Sequence, residues 1–444
     1  MKEIINETRL QNGLVVLTDR MPSVRSVTLG FFLRVGSRNE PNELNGITHF
    51  IEHAVFKGTK RRTPLDIAIE QDRFGGTLEA FTTHEETGFA IKVIDDQLEA
   101  AFDLIADMLS QPRFDKNEML SEQRVIIEEL KMTDDSPEDL LGEIFSRAFF
   151  PGHPLGLSIA GTQKTVRTFD REATRKYHRK IFRPENVIIV AAGNIKHEKI
   201  LELSNSMLFS TQSPRRSRSK ANTPSSANSA ISAFEKRARI KSQAPQVAAP
   251  IIIKQNRTLE QAHVIIATPL VSGRDRRRYE ADILAQIMGG GMSSRLWQKI
   301  REERGLAYSV GASAIMFNDC GIFTVSAATS PQQTLEVVDI TIAEMRDVAE
   351  KGVTADELEL AKEQTRVSVL MSLEDSASRA ASLAQSEMLH GRQITLEESL
   401  ANVNAVTLDD VRNIAREFFK TEKIAFAALG NLNGLKITRK RLAV

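Results

Sequence analysis

The chain has 444 residues, 41% of them hydrophobic, and 59 Lys+Arg stand against 58 Asp+Glu for a formal charge of +1. That length can bury two or more cores, the balanced charge argues against nucleic acid or an anionic membrane as a partner, and no apolar run reaches the ~18 residues that span a bilayer. The single cysteine, Cys320, excludes a disulfide framework and a cysteine metal cage.

Residues 1–13 hold acidic side chains where a signal or transit peptide would be basic, and no apolar h-region follows. The expectation is a cytoplasmic protein. Runs 13–17 and 27–35 read as strands about a turn at Met21-Pro22-Ser23. Next comes Asn45-Gly-Ile-Thr-His-Phe-Ile-Glu-His-Ala-Val-Phe-Lys-Gly-Thr59. On a helix, His49 and His53 lie about 40° apart in azimuth and roughly 6 Å apart along the axis, so both imidazoles can reach one metal ion. Glu52 falls on the same face, placed to polarise a metal-bound water and not to act as a ligand. The pattern is H-x-x-E-H, the inverse of the H-E-x-x-H metalloprotease helix. A lone helical histidine is usually structural; this pair requires a third ligand elsewhere.

Thr63-Pro64 opens a second helix, with proline at its first position, that runs to Gly75-Gly76. A strand over 77–93 follows, then helices over 96–110 and 115–132. On the last of these Glu122 and Glu129 are two turns apart and share a face, about 20° apart, whereas Glu128 lies about 100° from Glu129 and is the poorer candidate without being excluded. Without the histidines these acids would read as a solvated face beside Arg124 and Lys131. With them, two histidines and one carboxylate leaving a position for water make the shell of a catalytic zinc site.

A helical stretch over 139–149, a loop at 151–154, a helix over 170–182 and an apolar strand over 186–192 complete the first half. Residues 168–195 then align without a gap with 405–432 at an offset of 237, pairing Arg175 with Arg412, Arg179 with Arg416, Phe182 with Phe419 and Gly193-Asn194 with Gly430-Asn431. The chain is therefore a duplicated unit. The same offset carries the two histidines to Gln286 and Gly290 and Glu129 to Arg366, so the second half lacks the metal shell. Between the halves, residues 211–226 are rich in Ser, Pro and Arg without apolar period and read as a flexible, solvated linker whose length leaves the halves free to hinge. The expected divisions are 1–210 for a zinc-binding domain, 211–245 for the linker and 246–444 for a homologous domain without metal ligands. In the second half, Met288-Gly-Gly-Gly-Met292 lacks the G-x-x-x-x-G-K-[ST] spacing of a phosphate loop.

The run His49-Phe-Ile-Glu-His-Ala-Val-Phe-Lys-Gly-Thr59, with Glu129 76 positions beyond His53, resembles the pitrilysin, insulysin and mitochondrial processing peptidase family of zinc endopeptidases, nearest its short, processing-peptidase-like bacterial type. The resemblance spans essentially the whole chain. It implies an α+β fold of two homologous repeats, each a mostly antiparallel sheet with helices packed on it, facing each other as a clamshell. It implies one Zn2+ per chain held by His49, His53 and Glu129, with Glu52 as general base and Glu122 as a supporting acid. Glu79, Ala80, Phe81 and Thr82, after the Gly75-Gly76 pair, fall on the family's substrate-binding edge strand; members usually carry Asn at the position of Glu79, which puts the substrate-backbone contact there in doubt. Arg301 and Tyr308 have the spacing of an Arg and a Tyr that reach the scissile peptide in the family, with Arg304 as a competing choice. The implied activity is hydrolysis of peptides or unfolded segments enclosed in a chamber. The implied partners are peptide substrate and, since short members often pair, a second copy or a related chain. A rival reading is a non-catalytic subunit of the same fold; such proteins typically have broken motifs, and His49, Glu52, His53 and Glu129 are all present here.

Overall fold

The strand over 187–193, Val-Ile-Ile-Val-Ala-Ala-Gly, is buried at every position. Since alternate side chains of a strand point to opposite faces, such a sequence requires its sheet to be covered on both sides. The computed structural model, which describes residues 3–76, 78–207 and 244–444, shows how this is met.

The first half is built on a six-stranded sheet of β1 (Ile5–Arg9), β2 (Val15–Arg20), β3 (Ser26–Leu33), β4 (Glu79–Thr82), β5 (Thr87–Ile94) and β6 (Val187–Gly193), in the order β1-β2-β6-β3-β5-β4. Only β2 and β6 run parallel. The second half has a five-stranded sheet of β7 (Ile251–Gln255), β8 (Ala262–Leu270), β9 (Ala307–Met316), β10 (Gly321–Thr329) and β11 (Ala425–Gly430), in the order β7-β11-β8-β10-β9, with β7 and β11 parallel. Both sheets are thus mostly antiparallel, as expected.

Helices of the first half are α1 (Ile47–Ala54), α2 (Pro64–Phe74), α3 (Leu98–Ser110), α4 (Lys116–Asp135), α5 (Pro137–Phe149), α6 (Gln163–Val166), α7 (Arg171–Ile181) and α8 (His197–Ser206). Those of the second are α9 (Arg278–Gly289), α10 (Thr334–Lys351), α11 (Ala355–Ser372), α12 (Ser376–His390), α13 (Leu396–Ala405) and α14 (Leu408–Phe418). Adding 237 to α7 reproduces the bounds of α14, and the same shift lays α4 over α11 and α5 over α12 to within two residues at the start. The duplication read from the sequence is a duplication of architecture.

Each sheet packs one face on its own half's helices. In the first half Leu29, Phe31, Ile91 and Ile189 meet Phe102, Ile105, Ile126 and Ile181. The other face is covered by a helix from the opposite half. Ala380, Leu383 and Ala384 of α12 lie on Val15, Leu17, Ile188 and Val190, and Leu141, Phe145 and Phe149 of α5 lie on the second sheet's Ala267, Ala425, Ala427 and Leu429. The exchange is reciprocal because α5 and α12 are the same element of the repeat.

Three expectations change. The strand expected over 77–93 is a hairpin, because Thr83 Oγ1 accepts the backbone N–H groups of Glu85 and Glu86 and turns the chain between β4 and β5; Thr77 lies outside the described residues. Strand β1 was not expected, since its INETR sequence has one large apolar residue and pairs only at the sheet edge. Residues 211–243 of the expected linker also lie outside the described residues, but the freedom to hinge expected from its length is opposed by the exchanged helices, whose apolar contacts would be lost on separation.

Candidate metal centre

Helix α1 has only eight residues, and seven of them are buried. A helix so short is held by its surroundings and not by propensity. Its N-terminus begins after Gly46, whose φ of 96° lies in the left-handed region and where a Cβ would stand 2.6 Å from the Ala160 carbonyl oxygen. The orphan N–H groups there are met by Glu40, whose two carboxylate oxygens accept from Gly46 N and Thr48 N, both at 2.7 Å. Burial pushes the Glu40 carboxyl up to about 7, against these hydrogen bonds.

One turn apart on α1, His49 and His53 stand with ring centroids 4.7 Å apart. Helix α4 crosses beside them. Glu129 Oε1 lies 3.7 Å from His49 Nε2, and Glu129 Oε2 lies 3.8 Å from His53 Nε2. Ligand atoms of the three residues lie within 4.8 Å of one another. Ligands about 2.0–2.1 Å from a tetrahedral zinc ion are separated by about 3.3 Å, so a small inward movement closes this set on the metal. Two imidazoles and one carboxylate, with no fourth protein ligand among the described residues, suit zinc with a position left open.

The surrounding groups prepare these donors. Burial, with the nearby His53 adding to it, pushes the His49 imidazole down to about 4, so it is neutral and able to ligate at neutral pH. Burial would also lower His53, but Glu122, Glu52 and Glu129 outweigh it and raise its pKa. Glu122 Oε2 is 3.2 Å from His53 Nδ1, and Glu122 Oε1 is 2.9 Å from Lys57 Nζ. This contact leaves His53 Nε2 turned toward Glu129, in the carboxylate–imidazole–metal arrangement that orients ligating histidines. Burial opposes the charge on Glu122, yet its bonds to His53 and Lys57 hold its pKa below the ordinary value.

Of the acids left open by the sequence, the structure brings Glu129 and Glu122 to the histidines, in different positions. Glu128 turns to solvent and pairs with Lys131 at 2.7 Å. Glu52 is buried, and its carboxylate receives the Thr82 hydroxyl at 2.7 Å; desolvation raises its pKa despite that bond. Thr82 closes β4, the outermost strand of the first sheet, on which Glu79 and Phe81 are exposed and Ala80 half-buried. The stretch named for substrate binding therefore ends at the buried carboxylate.

Arg301 and Tyr308 do meet. Arg301 Nη1 donates to the Tyr308 carbonyl at 2.7 Å, and its guanidinium lies 4.6 Å from the Tyr308 ring and 4.2 Å from that of Trp297. Arg304, the competing choice, pairs with Glu336. Tyr308 is 79% exposed on β9, the edge of the second sheet, and no hydrogen bond or ion pair joins either residue to the histidine cluster among the described residues. In the second half, the position equivalent to His49 holds Gln286, whose amide donates to Gln364 at 2.8 Å.

Sequence reading missed Glu40, Lys57 and the Thr82–Glu52 bond. Lys57 was within sight, one helical turn beyond His53. Glu40 carried a weaker signal, an acid shortly before a helix-opening glycine, and the bond between Thr82 and Glu52 joins segments 30 residues apart.

Residues 15–163 match the family model described as insulinase (peptidase family M16), and residues 168–365 match that described as peptidase M16 inactive domain. The chain is 36% identical to an uncharacterized zinc protease of Streptomyces coelicolor, over 99% of this chain and 92% of that protein. It is 34% identical to an uncharacterized zinc protease of Bacillus subtilis, over 96% and 98%. Among solved structures, a protease from Helicobacter pylori superposes with a TM-score of 0.84 at 22% identity, covering 96% of this chain and all of that one. A peptidase M16 inactive domain from Pseudomonas fluorescens superposes at 0.85 with 17% identity, covering 96% and 98%. At those identities the structural likeness is one of fold.

Proposed function

The chain belongs to the insulinase (M16) family of peptidases, and from that premise we propose that it is a zinc-dependent endopeptidase acting on peptides or unfolded polypeptide segments held between its two halves. The observation that carries this reading is the convergence of His49, His53 and Glu129, with ligand atoms within 4.8 Å, beside the buried Glu52 carboxylate.

In this reading His49 and His53, through Nε2, and Glu129, through its carboxylate, hold one zinc ion. When bound, zinc would supply Lewis acidity for water activation and carbonyl polarisation. Glu52 accepts the proton of the attacking water and passes it to the leaving amine. Glu122 orients His53 through Nδ1 and is itself neutralised by Lys57. Substrate adds as a strand along the free edge of β4, where backbone hydrogen bonds tolerate varied side chains. Glu79 stands exposed on that strand. The Arg301 guanidinium and the Tyr308 hydroxyl are donors for the developing oxyanion.

Zinc content by elemental analysis on wild type and Glu52→Gln, alongside cleavage of a quenched fluorescent peptide library, tests the proposal. Near-stoichiometric zinc in both, with cleavage by wild type alone, is the expected result. A wild type that holds no zinc after reconstitution and cuts nothing would make a non-catalytic partner of the same fold the better description.

A further inference from the structure

Glu52 sits at a junction between two elements. Its backbone belongs to α1, and its carboxylate is held by a side chain from β4. Among the described residues, its hydrogen-bond partner is the Thr82 hydroxyl on Oε2, and Oε1 has none. A carboxylate side chain rotates freely about its last bond unless one oxygen is fixed. A hydroxyl donating to one oxygen removes that freedom and decides which oxygen remains available.

We infer that Thr82 is a positioning residue for Glu52: by holding Oε2 it presents Oε1 as the oxygen that takes the proton of water and later returns it to the leaving amine. The inference deepens the peptidase reading and rests on it. The proton balance is complete within that step, since the proton leaves water for Oε1, the Thr82 hydroxyl keeps donating to Oε2 in the neutral acid, and the same proton departs from Oε1 to the amine. Because Thr82 is also the last residue of β4, the strand that would align the substrate backbone aims the base as well. Substrate register and base orientation then share one rigid element, and geometry of this kind governs rate more than binding.

Valine matches threonine in shape and strand preference but has no hydroxyl, and serine restores the donor. The test compares wild type, Thr82→Val and Thr82→Ser for zinc content, for kcat and KM on one cleaved peptide, and for the Glu52 carboxylate infrared band isolated by subtraction of matching Glu52→Gln spectra. The expected result is full zinc in all three and a moved carboxylate band in Thr82→Val. In that variant kcat falls about 10- to 100-fold with KM within about threefold. Thr82→Ser should recover both band and rate. An unmoved band overturns the inference. So does a moved band with unchanged kcat, or a loss confined to KM, either of which would assign Thr82 to the strand alone. A zinc-loaded wild type that cleaves nothing sinks the peptidase reading and this inference together, and is distinguishable because failure of the inference alone leaves wild type active.

Discussion

The proposed metal ligands and their supports make unequal demands on single side chains. Replacing Glu129 by Ala removes a donor outright, so zinc should fall to a small fraction of one equivalent. Replacing Glu122 by Gln leaves all three donors but loosens His53 and frees Lys57, which should weaken zinc about 10- to 100-fold as measured by competition with a chelator. Glu40 acts on the fold of α1. Glu40→Gln removes one of two backbone acceptors and should lower stability by about 2 kcal/mol in thermal unfolding of the metal-free protein. The pH dependence follows from its raised pKa: stability from Glu40 is fully present below its ordinary value and is lost as pH rises through about 7. The gap between wild type and Glu40→Gln should therefore narrow from pH 5 to pH 8. At this scale the sequence was informative wherever helical period alone brings side chains together, as for His49, Glu52 and His53. It was nearly silent on Glu40 and on the Thr82–Glu52 bond, since loop paths and strand approach are set by packing.

Among the elements, α5 and α12 hold the halves together. Each lays an apolar face on the other half's sheet, and each sequence reads as an ordinary amphipathic helix. Phe145 is buried against Phe149, ring centroids 5.0 Å apart, above the second sheet. Phe145→Ala should cost about 3–5 kcal/mol in denaturant unfolding. The exchange is reinforced by Glu387 of α12, which is buried and accepts from Arg9 and Arg34 of the first half, and by the buried Arg379–Asp19 pair. Arg38 adds a further tie, pairing with Glu85 in the turn after β4 and with Asp319 in the turn after β9. Breaking a buried pair by removing one partner is strongly destabilising, whereas exposed pairs are worth little. Glu387→Gln should thus cost roughly 3 kcal/mol, and Lys92→Gln, which removes the exposed partner of Asp375, under about 1 kcal/mol. Equal losses from the two would contradict this assignment. The 237-residue offset was legible in the sequence; that matching helices trade places was not, because periodicity shows that a helix has an apolar face without showing which surface covers it.

For the whole molecule, acid sensitivity is the clearest consequence of burial. His49, His84 and His178 are each pushed down to about 4, chiefly by desolvation. The unfolded chain therefore binds protons at these sites at higher pH than the folded one, and their share of stability, present above about 6.5, is lost as pH falls toward 4. His178, whose Nε2 meets the Leu109 carbonyl at 2.9 Å and whose ring stacks on Phe182, is not one of the candidate metal ligands and isolates the effect. In metal-free protein, His178→Gln should lose less stability than wild type between pH 6.5 and 4.5, and a parallel course would contradict the account. Local chemistry was the province of the sequence by itself: a histidine pair at helical spacing, acids two turns apart, a duplicated unit and a second half without ligands. The first two depend on periods that the backbone imposes within a few turns, and the last two on self-similarity at a 237-residue offset. Only the tertiary structure decided how Glu129 and Glu122 are disposed about the histidines, which hydroxyl holds Glu52, and which helix covers which sheet, because these depend on contacts between distant segments whose approach is settled by burying both faces of two sheets at once.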